Sequence, residues 1–117
     1  MDDLRRRKHE RKESLNLTDY VILGISGDPV SRRMGRTINV SEGGILLETH
    51  FPLENGRDIL ITIALEEEII ELKGRVVHVR PEDDKRFLCG VEFTSYSAEA
   101  GRVLKKYIKA LKSLEID

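Results

Sequence analysis

The sequence predicts a mainly β fold: about six short antiparallel strands forming a small β-barrel, a C-terminal α-helix, and a flexible basic arm at the N-terminus. Three observations carry this. Apolar side chains alternate with polar ones through much of residues 15–93, which is the period of a half-buried strand. Turn residues interrupt that alternation at short intervals, giving closely spaced antiparallel strands that favour a barrel. After Ser95 the spacing changes to that of an amphipathic helix.

Residues 1–13 have Leu4 as their one strongly apolar side chain, so nothing would hold them against a core, and they form the arm. A first strand begins near Leu15, where Leu15, Leu17 and Asp19 alternate with Asn16 and Thr18, and runs through Tyr20 to Leu23. Gly24, Gly27, Asp28 and Pro29 break it. Ser31 to Gly35 reads as a polar connection. Arg36 to Val40 is a short strand ending at the turn Ser41-Glu42-Gly43-Gly44, and Ile45 to Thr49 is the next. Pro52 and Asn55-Gly56 supply the following turn. Ile59, Ile61, Ile63 and Leu65 then alternate with Leu60, Thr62 and Ala64 over a whole strand, and Glu66-Glu67-Glu68 makes a solvated hairpin tip. Ile70, Leu72, Gly74, Val76 and His78 share one face of the return strand. That places His78 inside the barrel and marks Gly74 as a bend or bulge. Pro81 to Lys85 is another polar tip. Phe87, Cys89, Val91 and Phe93 form the inner face of the last strand. Val103, Leu104, Tyr107, Ile108, Leu111 and Leu114 recur at helical spacing, with Ser97 as N-cap and Glu99 in the first turn, so the helix spans about residues 97–114. Residues 14–117 make one domain and residues 1–13 its arm.

The 117 residues fit one domain large enough to bury its own core. The single Cys89 forms no internal disulfide, which points to a reducing compartment. No stretch approaches the roughly 18 apolar residues of a membrane span. The N-terminus is charged where a secretory signal would be apolar, so the expected location is the cytoplasm. Net charge is −1, unevenly spread. Residues 5–12 carry six cations against Glu10, a net of +5, while residues 13–117 sum to −4.

Nothing in the sequence supports catalysis or a metal site. His9, His50 and His78 are scattered, and none sits at ligand spacing from another histidine or from Cys89. Cys89 falls among apolar alternates and reads as a small buried hydrophobe. No Gly-rich phosphate loop occurs. The chain is therefore expected to be no enzyme and to carry no cofactor.

Two clusters remain. Arg7-Lys8-His9-Glu10-Arg11 puts two guanidinium groups four residues apart. Asn39-Val40-Ser41-Glu42-Gly43-Gly44 is a polar turn between two apolar runs that can present an amide, a hydroxyl and bare backbone. Taken singly, the first is most often a solvated tail and the second an ordinary turn. As a pair, followed by Gly74-Arg75-Val76-Val77, by Phe87-Leu88-Cys89-Gly90-Val91-Glu92-Phe93 and by a closing helix, they resemble the PilZ domain family, bacterial receptors for the second messenger cyclic di-GMP. The family's hallmarks are Arg-x-x-x-Arg and, about thirty residues later, Asp/Asn-x-Ser-x-x-Gly. Within the arm only Arg7 has an arginine four residues on, which sets the register.

The resemblance implies a six-stranded barrel with an adjacent C-terminal helix. It also implies cyclic di-GMP as ligand, with Arg7, Arg11, Asn39, Ser41 and Gly44 as site residues. Gly43 and Arg6 join them: Gly43 as a second position without a Cβ, Arg6 as a further cation at the rim. Arginine suits such a ligand because its fork donates two parallel hydrogen bonds to guanine O6 and N7 or to phosphate, and its plane stacks on a purine. The expected output is an altered interaction with an effector protein that the sequence does not identify, in control of motility, exopolysaccharide production or virulence. No second domain is expected, and the oligomeric state stays open. Two rival readings remain: a ligand-independent PilZ-like adaptor, and a nucleic-acid-binding barrel. The latter is disfavoured by the acidic body and by the lack of aromatics for base stacking, so no DNA partner is expected.

Overall fold

Six strands and one helix account for most of residues 17–65 and 67–116, which the computed structural model describes. The strands are β1 (Leu17–Leu23), β2 (Pro29–Val40), β3 (Gly44–Thr49), β4 (Asp58–Leu65), β5 (Glu68–Pro81) and β6 (Phe87–Tyr96), followed by helix α1 (Ala98–Ile116). All pair antiparallel in the closed order β1-β2-β3-β6-β5-β4, with β4 returning to β1. The arm over residues 1–13, Leu15 and Glu66 lie outside the described residues, as do the side chains of Lys112 and Leu114.

Closure gives each strand an inner and an outer face, and the apolar alternates fill the inside. Ile59, Ile61 and Ile63 of β4 meet Leu72 and Val76 of β5, Leu47 of β3, and Cys89 and Val91 of β6 in one core. Burying each such aliphatic side chain contributes about 1.5–3 kcal/mol. Helix α1 packs against β4 and β5, burying Ala100, Val103, Leu104 and Tyr107. Its start is capped as the sequence predicts: Ser97 Oγ accepts the Ala100 amide at 3.0 Å.

Two sequence expectations are corrected. Residues 31–35 are not a connection but the middle of the 12-residue β2. The polar side chains misled because this stretch pairs with β1 alone, β3 joining β2 only from Arg36. Arg32 turns outward and forms a bidentate pair with Asp19 of β1, at 2.8–3.2 Å. Arg33 lies opposite Tyr20 and rests its guanidinium 4.5 Å from the centroid of the Phe51 ring. The second correction is His78, which is exposed rather than interior. Val76 pairs with Val91 and His78 with Gly90, so Val77 is an extra residue that shifts the register. The alternation read through Val76 inverts there. Cys89, by contrast, is fully buried as expected, with its sulfur 3.6 Å from Thr49 Oγ1.

The bend expected at Gly74 is present as a register shift between Lys73 and Gly74. A Cβ at this position would stand 2.5 Å from Val91 Cγ1 and 2.9 Å from the Glu92 carbonyl oxygen, so glycine lets the two strands close on each other.

Ile61 is fully buried at the centre of β4. Ile61→Ala is expected to lower unfolding free energy by about 2–5 kcal/mol in urea denaturation, with the midpoint falling and the slope unchanged.

Candidate ligand-binding site

The turn between β2 and β3 depends on a bulge just before it. Thr37 faces inward, where its hydroxyl meets that of Thr18 at 2.6 Å. Strict alternation from Thr37 would turn Asn39 inward as well. Instead Thr37 pairs with Leu47 and Asn39 with Leu46, leaving Ile38 as the extra residue. Asn39 is thereby re-aimed to the outer face, while Val40 returns inward against the core. The Asn39 amide is exposed and has no hydrogen-bond partner among the described residues.

Ser41 organises the turn itself. Its amide donates to the Gly44 carbonyl at 2.8 Å. Its hydroxyl oxygen accepts the amides of Gly43 and Gly44 at 3.3 and 3.2 Å, and its own proton reaches the Gly44 carbonyl at 3.3 Å. The turn is also pinned to β6: the Phe93 amide donates to the Gly43 carbonyl at 2.9 Å, and the Tyr96 hydroxyl donates to the Glu42 carbonyl at 3.2 Å. Phe93 and Tyr96 brace each other edge to face, with ring centroids 5.9 Å apart.

The two glycines of the turn differ in kind. A Cβ on Gly44 would sit 2.5 Å from the Val91 carbonyl oxygen, so glycine at 44 is required by the approach of β3 to β6. Gly43 is exposed, and a Cβ there would meet nothing within 4 Å. The internal role of Gly44 could not be read from the sequence, because it depends on which strand lies opposite.

One residue of this face went unnoticed in the sequence. Glu48 of β3 points outward yet is only 8% exposed, paired with Arg36 Nε at 3.1 Å and Arg86 at 3.8 Å. Hydrogen bonding to Glu48 also pushes the Glu82 carboxyl above the usual carboxylate range, with desolvation and the negative charges of Glu48 and Asp83 adding to the shift. Arg36 lies three residues before Asn39, so Glu48 ties the site's strand to the β5–β6 turn. Its signal in the sequence was a lone carboxylate in an otherwise apolar run.

The structure thus brings Asn39, Ser41, Gly43 and Gly44 into one outward-facing corner. Arg6, Arg7 and Arg11 lie outside the described residues. Among the described residues no group of histidines, cysteines and carboxylates could hold a metal ion, and no helix is long and apolar enough to cross a membrane.

Comparison with known proteins follows this geometry. The model of the PilZ domain matches residues 5–110, and the chain belongs to the PilZ domain family. No curated protein sequence matches it. Among solved structures it is similar to the inhibitor of motility MotI/DgrA of Bacillus subtilis, at 19% identity and TM-score 0.65, over 85% of this chain and 49% of that one. It is also similar to the PilZ domain of YcgR from Escherichia coli with c-di-GMP, at 15% identity and TM-score 0.62, over 85% of this chain and 84% of that one. The K. pneumonia MrkH–c-di-GMP complex matches at 17% identity and TM-score 0.62, over 82% and 45%. The chain spans about half the length of MotI/DgrA and of MrkH. At these identities the likeness is one of fold.

The contrast between the glycines is directly measurable without any ligand. Gly44→Ala is expected to cost about 1–3 kcal/mol in thermal or urea unfolding, because a backbone oxygen stands in the way. Gly43→Ala is expected to change stability by about 0.5 kcal/mol or less.

Proposed function

We propose that the chain is a cyclic di-GMP receptor, holding the ligand between the Ser41–Gly44 corner and the arginines of residues 5–12. The observation that carries this reading is the bulge at Ile38. It uses one ladder position to turn outward an amide with no partner among the described residues, beside a turn that Ser41 has already ordered. Family membership and the c-di-GMP named for the YcgR and MrkH structures support the choice of ligand.

In this reading Asn39 accepts from guanine N1–H or N2–H₂ through its carbonyl oxygen. Ser41 keeps both glycine amides on its oxygen and swings its proton from the long bond to the Gly44 carbonyl onto a phosphate oxygen. The turn is ordered before ligand arrives, so little entropy is lost there on binding. Arg7 and Arg11 supply the forks that match guanine or phosphate, and Arg6 adds a plane for stacking. The arm concentrates positive charge on an acidic body, which steers a dianion to it. Neutralising that charge orders residues 1–12 on the barrel and creates a new surface for an effector protein.

Calorimetric titration of the purified chain with cyclic di-GMP tests this, with cyclic di-AMP as control ligand. The expected dissociation constant is about 1 μM or tighter, about −8 kcal/mol. Arg7→Ala with Arg11→Ala is expected to abolish it, and the Arg→Lys pair to weaken it strongly, since lysine keeps charge but loses the fork. Two ligands per chain are expected if Arg6 stacks on an intercalated pair. Absence of heat with cyclic di-GMP at two temperatures favours the ligand-independent adaptor. Duplex DNA binding that survives Arg7→Ala favours the nucleic-acid reading.

A further inference from the structure

β2 has a strand on both sides only over its second half. β1 runs beside it from Pro29 to Arg36, whereas β3 joins from Arg36 onward. β3 ends there because the Thr49 hydroxyl donates to the Phe51 carbonyl at 2.6 Å, which turns the chain, and Pro52 follows with no amide to give to a ladder. Residues 29–34 therefore keep one bare side. Among the described residues no bond is made to the backbone on that side. Six residues in a strand expose about 20 Å of unpaired amides and carbonyls, groups that favour a partner.

The side chains along this edge are apolar and cationic. Val30 and Met34 are 57% and 56% exposed, and the Phe51 ring, 55% exposed, stands beside Arg33 just past the end of β3. Arg32 is three-quarters exposed and gives Asp19 only Nε and one terminal nitrogen. Arg33 has no carboxylate partner among the described residues. Asp28, next to the edge in sequence, turns back over the hairpin, where a Cβ on Gly24 would stand 2.9 Å from its Oδ1. Bare edges are guarded by proline, by bulges and by charge, and this one has all three: Pro29, the extra residue Val30, and the two arginines. The charges also select. A second copy pairing antiparallel on the same edge would bring its own Arg32 and Arg33 against these two, and like charges directly opposite are destabilising. The arm is excluded by the same sign, with a net of +5 over residues 5–12. What fits is an extended segment that carries carboxylates between apolar residues.

We infer that residues 29–34 of β2 are a docking edge for an acidic, extended segment of a partner protein, which adds to the barrel as a strand beside β2. Ladder bonds to the bare amides and carbonyls supply affinity. Side chains of the added strand alternate between two faces: one set meets Arg32 and Met34 on the outer side, the other meets Arg33 and the Phe51 ring. Carboxylates opposite the arginines and apolar groups opposite Met34 and Phe51 supply the selection. Met34 lies roughly 20 Å before Ser41 along the chain, so a strand at the edge and a ligand at the corner use different residues of β2. The chemistry of the edge does not depend on what the corner holds.

The test is titration of the full isotopically labelled chain with an octapeptide of alternating aspartate and valine, and with its lysine–valine counterpart. The acidic peptide is expected to bind at about 100 μM or tighter, and the basic one at least about tenfold more weakly. Amide shifts are expected at residues 30–34 and at Phe51, with cross-peaks between the peptide and β2. Arg32→Ala with Arg33→Ala is expected to weaken the acidic peptide about tenfold or more. If circular dichroism and a thermal melt show that this pair does not fold, Met34→Asp, which puts a like charge on the edge, decides in its place. Equal binding of the two peptides, or binding of neither at about 1 mM, overturns the proposal. So do shifts confined to the arm, where charge alone holds an acidic peptide. Cross-peaks between two copies of the chain across residues 29–34 give the edge to a second copy and overturn the choice of partner.

Discussion

Pairing of β1 with β4 is the constraint from which the remaining structure follows. It closes the sheet, so among the described residues every strand has a neighbour on each side over at least part of its length. It also divides every residue of the barrel into inside or outside. In a closed sheet with a full core that assignment can change along a strand only at an extra residue, because a simple slip would put a whole set of apolar side chains into water. Ile38 and Val77 are such residues, and they turn Asn39 and His78 to the outer face. The barrel thus supplies rigidity, and irregularities in its ladder supply the polar groups.

The corner that follows β2 is rigid for a different reason. Ser41 gathers two amides on one oxygen, and β6 holds two of the turn's carbonyls. These bonds are individually modest, about 1 kcal/mol net each, but they act together on four residues and leave few alternative shapes. Close by, Glu48 gathers Arg36 and Arg86 on a single buried carboxylate. Its position fixes the strand that carries Asn39 without using any group that faces the proposed ligand. In the proposed receptor the work is divided between a preordered corner on the barrel, which sets geometry, and a cationic arm, which supplies charge and the response.

Much of this architecture was legible in the sequence because it rests on local periodicity. Residues 59–65 alternate cleanly, and Ser97 caps the helix as its position predicts. What was not legible depends on partners distant in sequence. The stretch 31–35 looks like a loop until Asp19 and Phe51 are placed beside Arg32 and Arg33. His78 looks interior because period-2 reasoning carries no sign of the bulge at Val77. The same limit applies to the site. Asn39, Ser41, Gly43 and Gly44 were found as a contiguous motif. Glu48 shares their face only through strand pairing, and nothing in its spacing joins it to them.

The most direct measurement of the central claim, that the ligand is held at the Ser41–Gly44 corner, is an amide chemical-shift map of the isotopically labelled chain with and without cyclic di-GMP. The account predicts the largest shifts at Asn39, Ser41, Gly43 and Gly44, with small shifts across β4 and α1. Shifts centred on α1 and the tip between β4 and β5, with the β2–β3 corner unmoved, would contradict it.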